Sequence, residues 1–247
     1  MIKKKTTIII YENIKTLIGA LIIAILIRSL LVQPFYIPSS SMEPTLLIGD
    51  RIFVSKYTYG YSKHAFPFSP NITSKRFFYR SPLRGDLVVF KTPADNRTDY
   101  IKRLIGVPGD IIQIINGDLY INNISTLKTK ISDNDLIYCG EKNISVNTFN
   151  EKLPNGVIHR SVYLKDYSYQ NSDKFIVPDK HYFFLGDNRD CSKDSRYLTS
   201  VGYVHEINLV GKAQFIFFSS DFRKGSILSF WKWNKTIRLN RFFKKIK

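Results

Sequence analysis

Asp110-Ile111-Ile112-Gln113-Ile114-Ile115-Asn116-Gly117-Asp118-Leu119-Tyr120-Ile121 is the stretch that decides the fold class. It is two apolar runs joined by Asn-Gly. That dipeptide accepts positive φ at both centres of a type I′ turn, the connection whose twist matches two paired strands. A tight hairpin over 110–121 follows. Working outward, β-rich runs recur at 51–54, 86–90, 157–158, 162–164, 181–185 and 211–218, divided by Gly, Pro, Asn and Asp. Helical periodicity is missing throughout, so the body is expected to be mainly β with antiparallel sheets. Residues 123–178 are richer in Asn, Ser, Asp and Lys and read as an inserted, smaller β lobe.

Upstream the pattern is different. Leu17 to Val32 is apolar on every side apart from Arg28 and Ser29. As a helix it would rise about 24 Å, slightly short of a ~30 Å hydrocarbon core. Extension back to Ile14, with Lys15 and Arg28 snorkelling, makes a single span. The cluster Lys3-Lys4-Lys5 marks the N-terminus as the cytoplasmic end. A cleaved signal sequence has a similar start, but its apolar centre is shorter, and here Pro34 and Pro38 crowd any cut. We therefore expect an uncleaved anchor.

The chain has 247 residues and a formal net charge of +17, which by itself suggests a polyanionic partner. The charge is not evenly spread. Nine cations and no acid lie beyond Phe222, and residues 1–32 carry a net +4, which leaves only +4 for residues 33–221. The tail interleaves Phe230, Trp231, Trp233, Ile237, Leu239, Phe242 and Phe243 with its cations, and reads as an amphipathic interfacial helix or a basic tail resting on anionic lipid. No nucleic-acid partner is expected beside a membrane anchor. The organisation is then 1–33 start and anchor, 34–122 with 179–221 β core, 123–178 inserted lobe, and 222–247 basic amphipathic tail.

The usual signatures of chemistry are missing. His64, His159, His181 and His205 have no metal-ligand spacing, so no metal or cofactor is expected and each reads as a surface or packing residue. There is no phosphate loop and no G-x-S-x-G elbow. Cys139 and Cys191 could pair outside the cytosol, but their spacing does not decide it. Three segments look unusual for linkers. Pro34 to Leu46 holds three serines between prolines, which stiffen it. Asp99 to Asp110 places Lys102 in a strand-like run ending at Pro-Gly. Gly186 to Tyr197 is a dense polar loop after an aromatic strand.

Together these blocks resemble the bacterial type I signal peptidases (leader peptidases), membrane-bound Ser/Lys endopeptidases. The matching blocks occur in order as Pro38–Leu46, Gly49–Lys56, Arg84–Phe90, Tyr100–Asp110 and Gly186–Arg196. The resemblance implies Ser41 as nucleophile and Lys102 as general base, a dyad that needs no histidine. It implies an oxyanion site from the Ser41 backbone N–H and the Ser39 hydroxyl. The residue between them is often glycine in such enzymes and here is Ser40, a second candidate donor. Ser192 would orient Lys102, Asp194 and Arg196 would pair in support, and Asp187 would fix the loop. Phe35, Ile37, Met42, Leu46, Tyr100 and Ile101 would wall the substrate pockets. The implied partners are exported precursors with signal peptides, cut after small-x-small sequences, and the lipid bilayer. The implied location is the bacterial inner membrane, single-pass, with the catalytic body on the periplasmic side. A repressor-type Ser/Lys protease would carry a DNA-binding domain where this chain has its apolar span.

Overall fold

The computed structural model describes residues 2–71, 73–140, 142–165, 171–225 and 230–246. Helix α1 (Ile2–Leu26) runs through a π-helical turn at Ile27–Leu31 straight into strand β1 (Val32–Tyr36). Ile10–Leu31 is the part long and apolar enough to cross a membrane, 22 residues or about 33 Å of helix. Its side chains are almost wholly unpacked against the rest of the protein, as an apolar helix meant for lipid would be. The join to the body is short and hydrogen-bonded. Lys56 N donates to Leu31 O at 2.9 Å, and Tyr61 Oη donates to Leu30 O at 2.8 Å.

The body is mainly β, as expected. After β1 come β2 (Asp50–Ser55), β3 (Leu87–Lys91), β4 (Asp99–Gly106), β5 (Ile111–Ile115), β6 (Asp118–Ile121) and β7 (Ile124–Ser125). Then follow β8 (Leu127–Cys139), β9 (Lys142–Lys152), β10 (Ile158–Leu164), β11 (Phe175–Ile176) and β12 (His181–Leu185). The chain ends with β13 (Val204–His205), β14 (Leu209–Ser219) and β15 (Lys244–Lys245). The main sheet has the order β1-β2-β14-β3-β4-β12-β13, with β15 added to β14. Two smaller sheets have the orders β10-β9-β8 and β11-β5-β6-β7.

Strand β3 explains how the main sheet is buried. Leu87, Val88, Val89 and Phe90 are all buried, a continuous apolar run with core on both faces. Leu87 and Val89 pack with Ile37, Met42, Leu46 and Ile52, while Val88 and Phe90 pack with Leu104, Tyr182 and Phe184. The hairpin forms as the sequence requires: Asn116 and Gly117 have φ of 50° and 79°, and Ile114 faces Leu119 across the turn. This hairpin pairs with β7 and β11, both from residues 123–178, so strand pairing crosses the boundary read at 122.

The polar lobe is β, as expected, although alternation does not reveal its long pair β8–β9, because only a small cluster of Ile137, Val146 and Val162 lies beneath it. The tail differs from the sequence reading and is no interfacial helix among the described residues; its residues 226–229 and 247, and the lobe's 141 and 166–170, lie outside them. Its one α-helical piece, α2, is Trp233–Thr236, and beyond it β15 joins the main sheet. The physical reason is ionic. Buried Asp50 receives Arg241 Nε at 3.0 Å and Nη2 at 2.5 Å, and Arg238 pairs with Asp221 at 2.9 Å. The cations read as lipid-facing include ones that close the body. Arg241→Ala would leave the buried Asp50 carboxylate with Leu47 N and Ser219 Oγ but without its charged partner, and is expected to lower stability by about 3 kcal/mol, read from denaturant unfolding of the full chain in detergent.

Candidate active site

The serine segment is held rigidly from below. Met42 and Leu46 are buried in the core, and Leu46 N donates to Met42 O at 2.9 Å in a run of tight turns. Glu43 is also buried, which pushes its carboxyl above the usual range, although Tyr138 N donates to its Oε2 at 3.0 Å and opposes the shift. Thr45 Oγ1 donates to Asp187 Oδ2 at 2.5 Å. Between these anchors Ser41 sits at 8% exposure, with Ser39 Oγ 3.3 Å from its hydroxyl. Among the described residues the Ser41 backbone N–H has no acceptor.

Strand β4 supplies the amine. Lys102 Nζ lies 2.5 Å from Ser41 Oγ and 3.1 Å from Ile101 O, and the residue is 3% exposed. It takes part in no ion pair among the described residues. Tyr100 and Leu104 flank it two positions either side on the same strand, and both pack into the cluster around Phe90 and Phe184. Burial lowers the Lys102 pKa from 10.5 to about 8, against the pull of the Asp194 and Asp187 carboxylates. Lys56 is a second buried lysine with a pKa lowered to about 8, but its Nζ donates to the Ala65 carbonyl. Of the two, only Lys102 reaches a serine hydroxyl.

Strand alternation turns the next residue, Arg103, away from the serine. Its Nε and Nη2 each stand 2.7 Å from Asp187, one on each carboxylate oxygen, and its Nη1 donates to Gly85 O at 2.8 Å. Arg103 and Asp187 are both completely buried, and Asp187 is held below the usual carboxylate range by Arg103 and Thr45 despite its burial. The network continues into the β8–β10 sheet. Arg189 pairs with Glu151 at 2.6 Å and donates to Tyr163 Oη at 2.6 Å. His159 Nε2 stands 3.3 Å from Arg189 Nη2, and burial beside Arg103 drives the imidazole pKa down to about 4, so it is the neutral acceptor. Asp194 makes a bidentate pair with Arg196, at 2.8 and 2.9 Å, and accepts from Gly186 N at 3.0 Å.

Ser41 and Lys102 open onto a cleft of about 390 Å³. Phe35, Ile37, Met42, Tyr100 and Ile101 line it, together with Ser39, Cys191 and Lys193. Leu46 does not, which corrects the expectation: it points into the core beneath the serine segment, against Ile52 and Val54. Ser192 also departs from its expected place. It is buried, but its hydroxyl makes no hydrogen bond to Lys102 and instead lies against Gly186 and Asp194. Asp187 lies in the 186–196 loop with both carboxylate oxygens held by Arg103 and one also taking the Thr45 hydroxyl. Cys139 and Cys191 are joined as a disulfide with Cα atoms 5.5 Å apart, tying β8 to the loop beside the cleft.

A buried serine–lysine pair at this spacing, beneath an apolar cleft, is an arrangement suited to acyl transfer. The sequence matches the signal peptidase, peptidase S26, family over residues 10–218. The chain belongs to that family. The signal peptidase I of Rickettsia typhi is 40% identical over 260 residues, covering 98% of this chain and 96% of that protein. The signal peptidase I of Rickettsia conorii is 42% identical over 242 residues, covering 91% and 88%. A solved signal peptidase I from Enterococcus faecalis V583 is 28% identical, covering 54% of this chain and 97% of that one at a TM-score of 0.33. The chain is therefore a peptidase of the signal peptidase family carrying an N-terminal apolar helix that can anchor it.

Several residues of this signal peptidase site escape a reading of sequence. Arg103 and Arg189 lie inside the matching blocks but carry no assigned role there, while Glu151, His159 and Tyr163 lie in the polar lobe, distant in the chain. Gly186 has the clearest signal, since it opens the Gly186–Arg196 block. A Cβ there would come within 2.5 Å of Ser41 O and 2.2 Å of Ser192 Oγ, so only glycine lets this loop approach the serine.

The depressed lysine has a measurable consequence. Because its folded pKa of about 8 lies below the unfolded 10.5, Lys102 destabilises the fold fully at pH below 8 and ceases to do so as pH rises to 10.5. At pH 7 that difference is about 3 kcal/mol, of which the lost hydrogen bond to Ser41 returns about 1. Lys102→Met is expected to raise unfolding stability by about 2 kcal/mol at pH 7, and to lose that advantage above about pH 10, by denaturant titration at a series of pH values.

Proposed function

We propose that this signal peptidase removes signal peptides from exported precursors with Ser41 as nucleophile and Lys102 as general base. The observation that carries the reading is the 2.5 Å contact between a serine hydroxyl and a buried amine that bonds no carboxylate among the described residues. In its neutral form Lys102 accepts the Ser41 proton as Oγ attacks the scissile carbonyl. The developing oxyanion is met by the Ser41 N–H and the Ser39 hydroxyl. Ser39 is favoured over Ser40 because it, and not Ser40, stands beside Ser41 Oγ. Lys102 then returns the proton to the leaving amine, and a water activated by the same amine releases the acyl group. Asp187, Asp194 and Arg196 support the loop behind Lys102. Ser192 helps by filling the space beneath it.

Specificity for small-x-small sequences fits a shallow cleft walled by Phe35, Ile37, Met42, Tyr100 and Ile101. Strand β4 also offers a place for an extended peptide. Along Asp99–Ile101 it pairs with β3 alone, since β12 pairs only from Arg103 onward. Free main-chain groups on that edge suit strand addition by a substrate. The proposed topology has a single span with the N-terminus cytoplasmic and the body outside, and the Cys139–Cys191 disulfide is in keeping with an oxidising compartment. The segments 34–122 and 179–221 then form the catalytic core and 123–178 a supporting lobe.

Incubation of the full chain in detergent with a secretory precursor tests the reading. Wild type is expected to cut, and Ser41→Ala and Lys102→Ala to lose about a thousandfold or more of kcat/KM. Cutting by both variants at the wild-type rate would sink it. The rate of wild type should fall as pH drops below about 8, since only neutral Lys102 takes the proton, and should level off above it.

A further inference from the structure

Where α1 meets the body there is a second cavity, of about 510 Å³, larger than the cleft at Ser41. It is strongly polar and cationic, with Arg28, Lys63, His64, Lys91 and Arg97 among its lining residues. The two carboxylates on its wall are already engaged. Asp99 pairs with Lys91 at 2.9 Å, and Asp95 accepts from Arg97 N at 2.8 Å and Thr98 N at 3.0 Å. Arg28, Lys63 and Arg97 have no carboxylate partner among the described residues. His64 adds a second signal. It is 4% exposed, its Nδ1 bonds Ser69 Oγ at 2.9 Å, and its Nε2, shielded from solvent, has no partner. An unpaired buried nitrogen in a cationic cavity points to a ligand with acceptor oxygens.

The cavity does not stand alone. Arg28 also borders an apolar groove of about 540 Å³ between α1 and the first strands, formed by Ala24, Ile27, Val32, Pro34 and Phe53. One side is thus lined by cations and the other by hydrocarbon, with Arg28 common to both. Phe68, also on the wall of the polar side, is fully exposed.

We infer that the cavity and the groove together bind one anionic phospholipid of the surrounding bilayer. Its phosphate sits among Arg28, Lys63, Arg97 and His64 Nε2, and an acyl chain follows the groove along α1. Arg28 stands near the end of the span that leads into the body, at the level where headgroup phosphates lie. A free phosphate would satisfy the cations but leave the groove unused. The inference rests on α1 being a membrane span, and it goes beyond the proteolytic reading because neither Arg28 nor Lys63 lines the Ser41 cleft.

The test uses the full chain in detergent, with native mass spectrometry against dioleoyl-phosphatidylglycerol, dioleoyl-phosphatidylcholine and glycerol phosphate. Wild type is expected to retain phosphatidylglycerol about tenfold more tightly than phosphatidylcholine, and the Arg28→Gln/Lys63→Gln double variant to lose that preference. Glycerol phosphate, lacking the acyl chain, should bind far more weakly. Precursor cleavage in detergent and the circular dichroism spectrum of the double variant are expected to match wild type, so that lost binding is not lost fold. Equal retention of the two lipids by wild type, or unchanged selectivity in the variant, overturns the site. Glycerol phosphate binding as tightly as the lipid overturns it in favour of a soluble anion. Vesicle partitioning separates the two levels: failure of wild type to enter vesicles of either lipid rejects the span and with it the site, whereas entry without selectivity rejects the site alone.

Discussion

Burying an amine beside a hydroxyl without giving it a carboxylate is the constraint on which the site depends. A lysine bonded to Asp or Glu would keep its proton at neutral pH and could not take another. Here Lys102 contacts Ser41 Oγ and a backbone carbonyl, and the two acids that influence it are committed elsewhere, Asp187 to Arg103 and Asp194 to Arg196. Those ion pairs keep both carboxylates from bonding the amine; their charge still pulls its pKa upward, but less than burial pushes it down. The loop 186–196 is built around that need: it brings two acids close to the amine, but each is already paired.

Adjacent residues on β4 divide this work. Lys102 turns to the serine, while Arg103 turns to the other side and clamps Asp187, which also takes the Thr45 hydroxyl. One buried pair therefore links the strand of Lys102, the segment of Ser41 and the polar loop. Through Arg189 and Glu151 the same network reaches the β8–β10 sheet, and the disulfide makes a second tie from that sheet to the loop. A buried ion-pair network of this kind is a poor source of net stability. On the proposed mechanism its value is geometric, because acyl transfer is sensitive to small displacements of the groups that exchange the proton.

How much of this was legible in the sequence follows from where each signal resides. The Asn116-Gly117 hairpin and the apolar run of β3 are local patterns that formed where the residues said they should. The apolar helical stretch is equally local, but it begins earlier than Ile14, at Ile10, and ends at Leu31 because Val32 opens β1. Ser41 and Lys102, 61 positions apart, stood out only through the family resemblance of the blocks around them; nothing in their spacing predicts contact. The long pair β8–β9 was hidden because it covers little core and keeps polar residues on its open face. The resemblance implied Leu46 as a pocket wall, but the tight turn over 42–46 rotates it into the core. The tail's cations looked like lipid contacts because Asp50, the partner of Arg241, is remote in the chain and Asp221 stands just outside the tail. Charge counts record how many cations there are, and only the fold assigns them to acids.

The opening excess of positive charge is thus divided: some of it closes the body, some lines the cavity where α1 meets the body, and the proposed mechanism requires one lysine to give up its charge. That last requirement is the centre of the account and is open to direct observation. Heteronuclear NMR titration of the Lys102 ε-amine, in the full chain in detergent and with the resonance assigned by its loss in Lys102→Met, reads its protonation without reference to catalysis. The account predicts a midpoint near 8. A midpoint at the ordinary lysine value of about 10.5 would mean that the amine stays charged beside Ser41, and would contradict it.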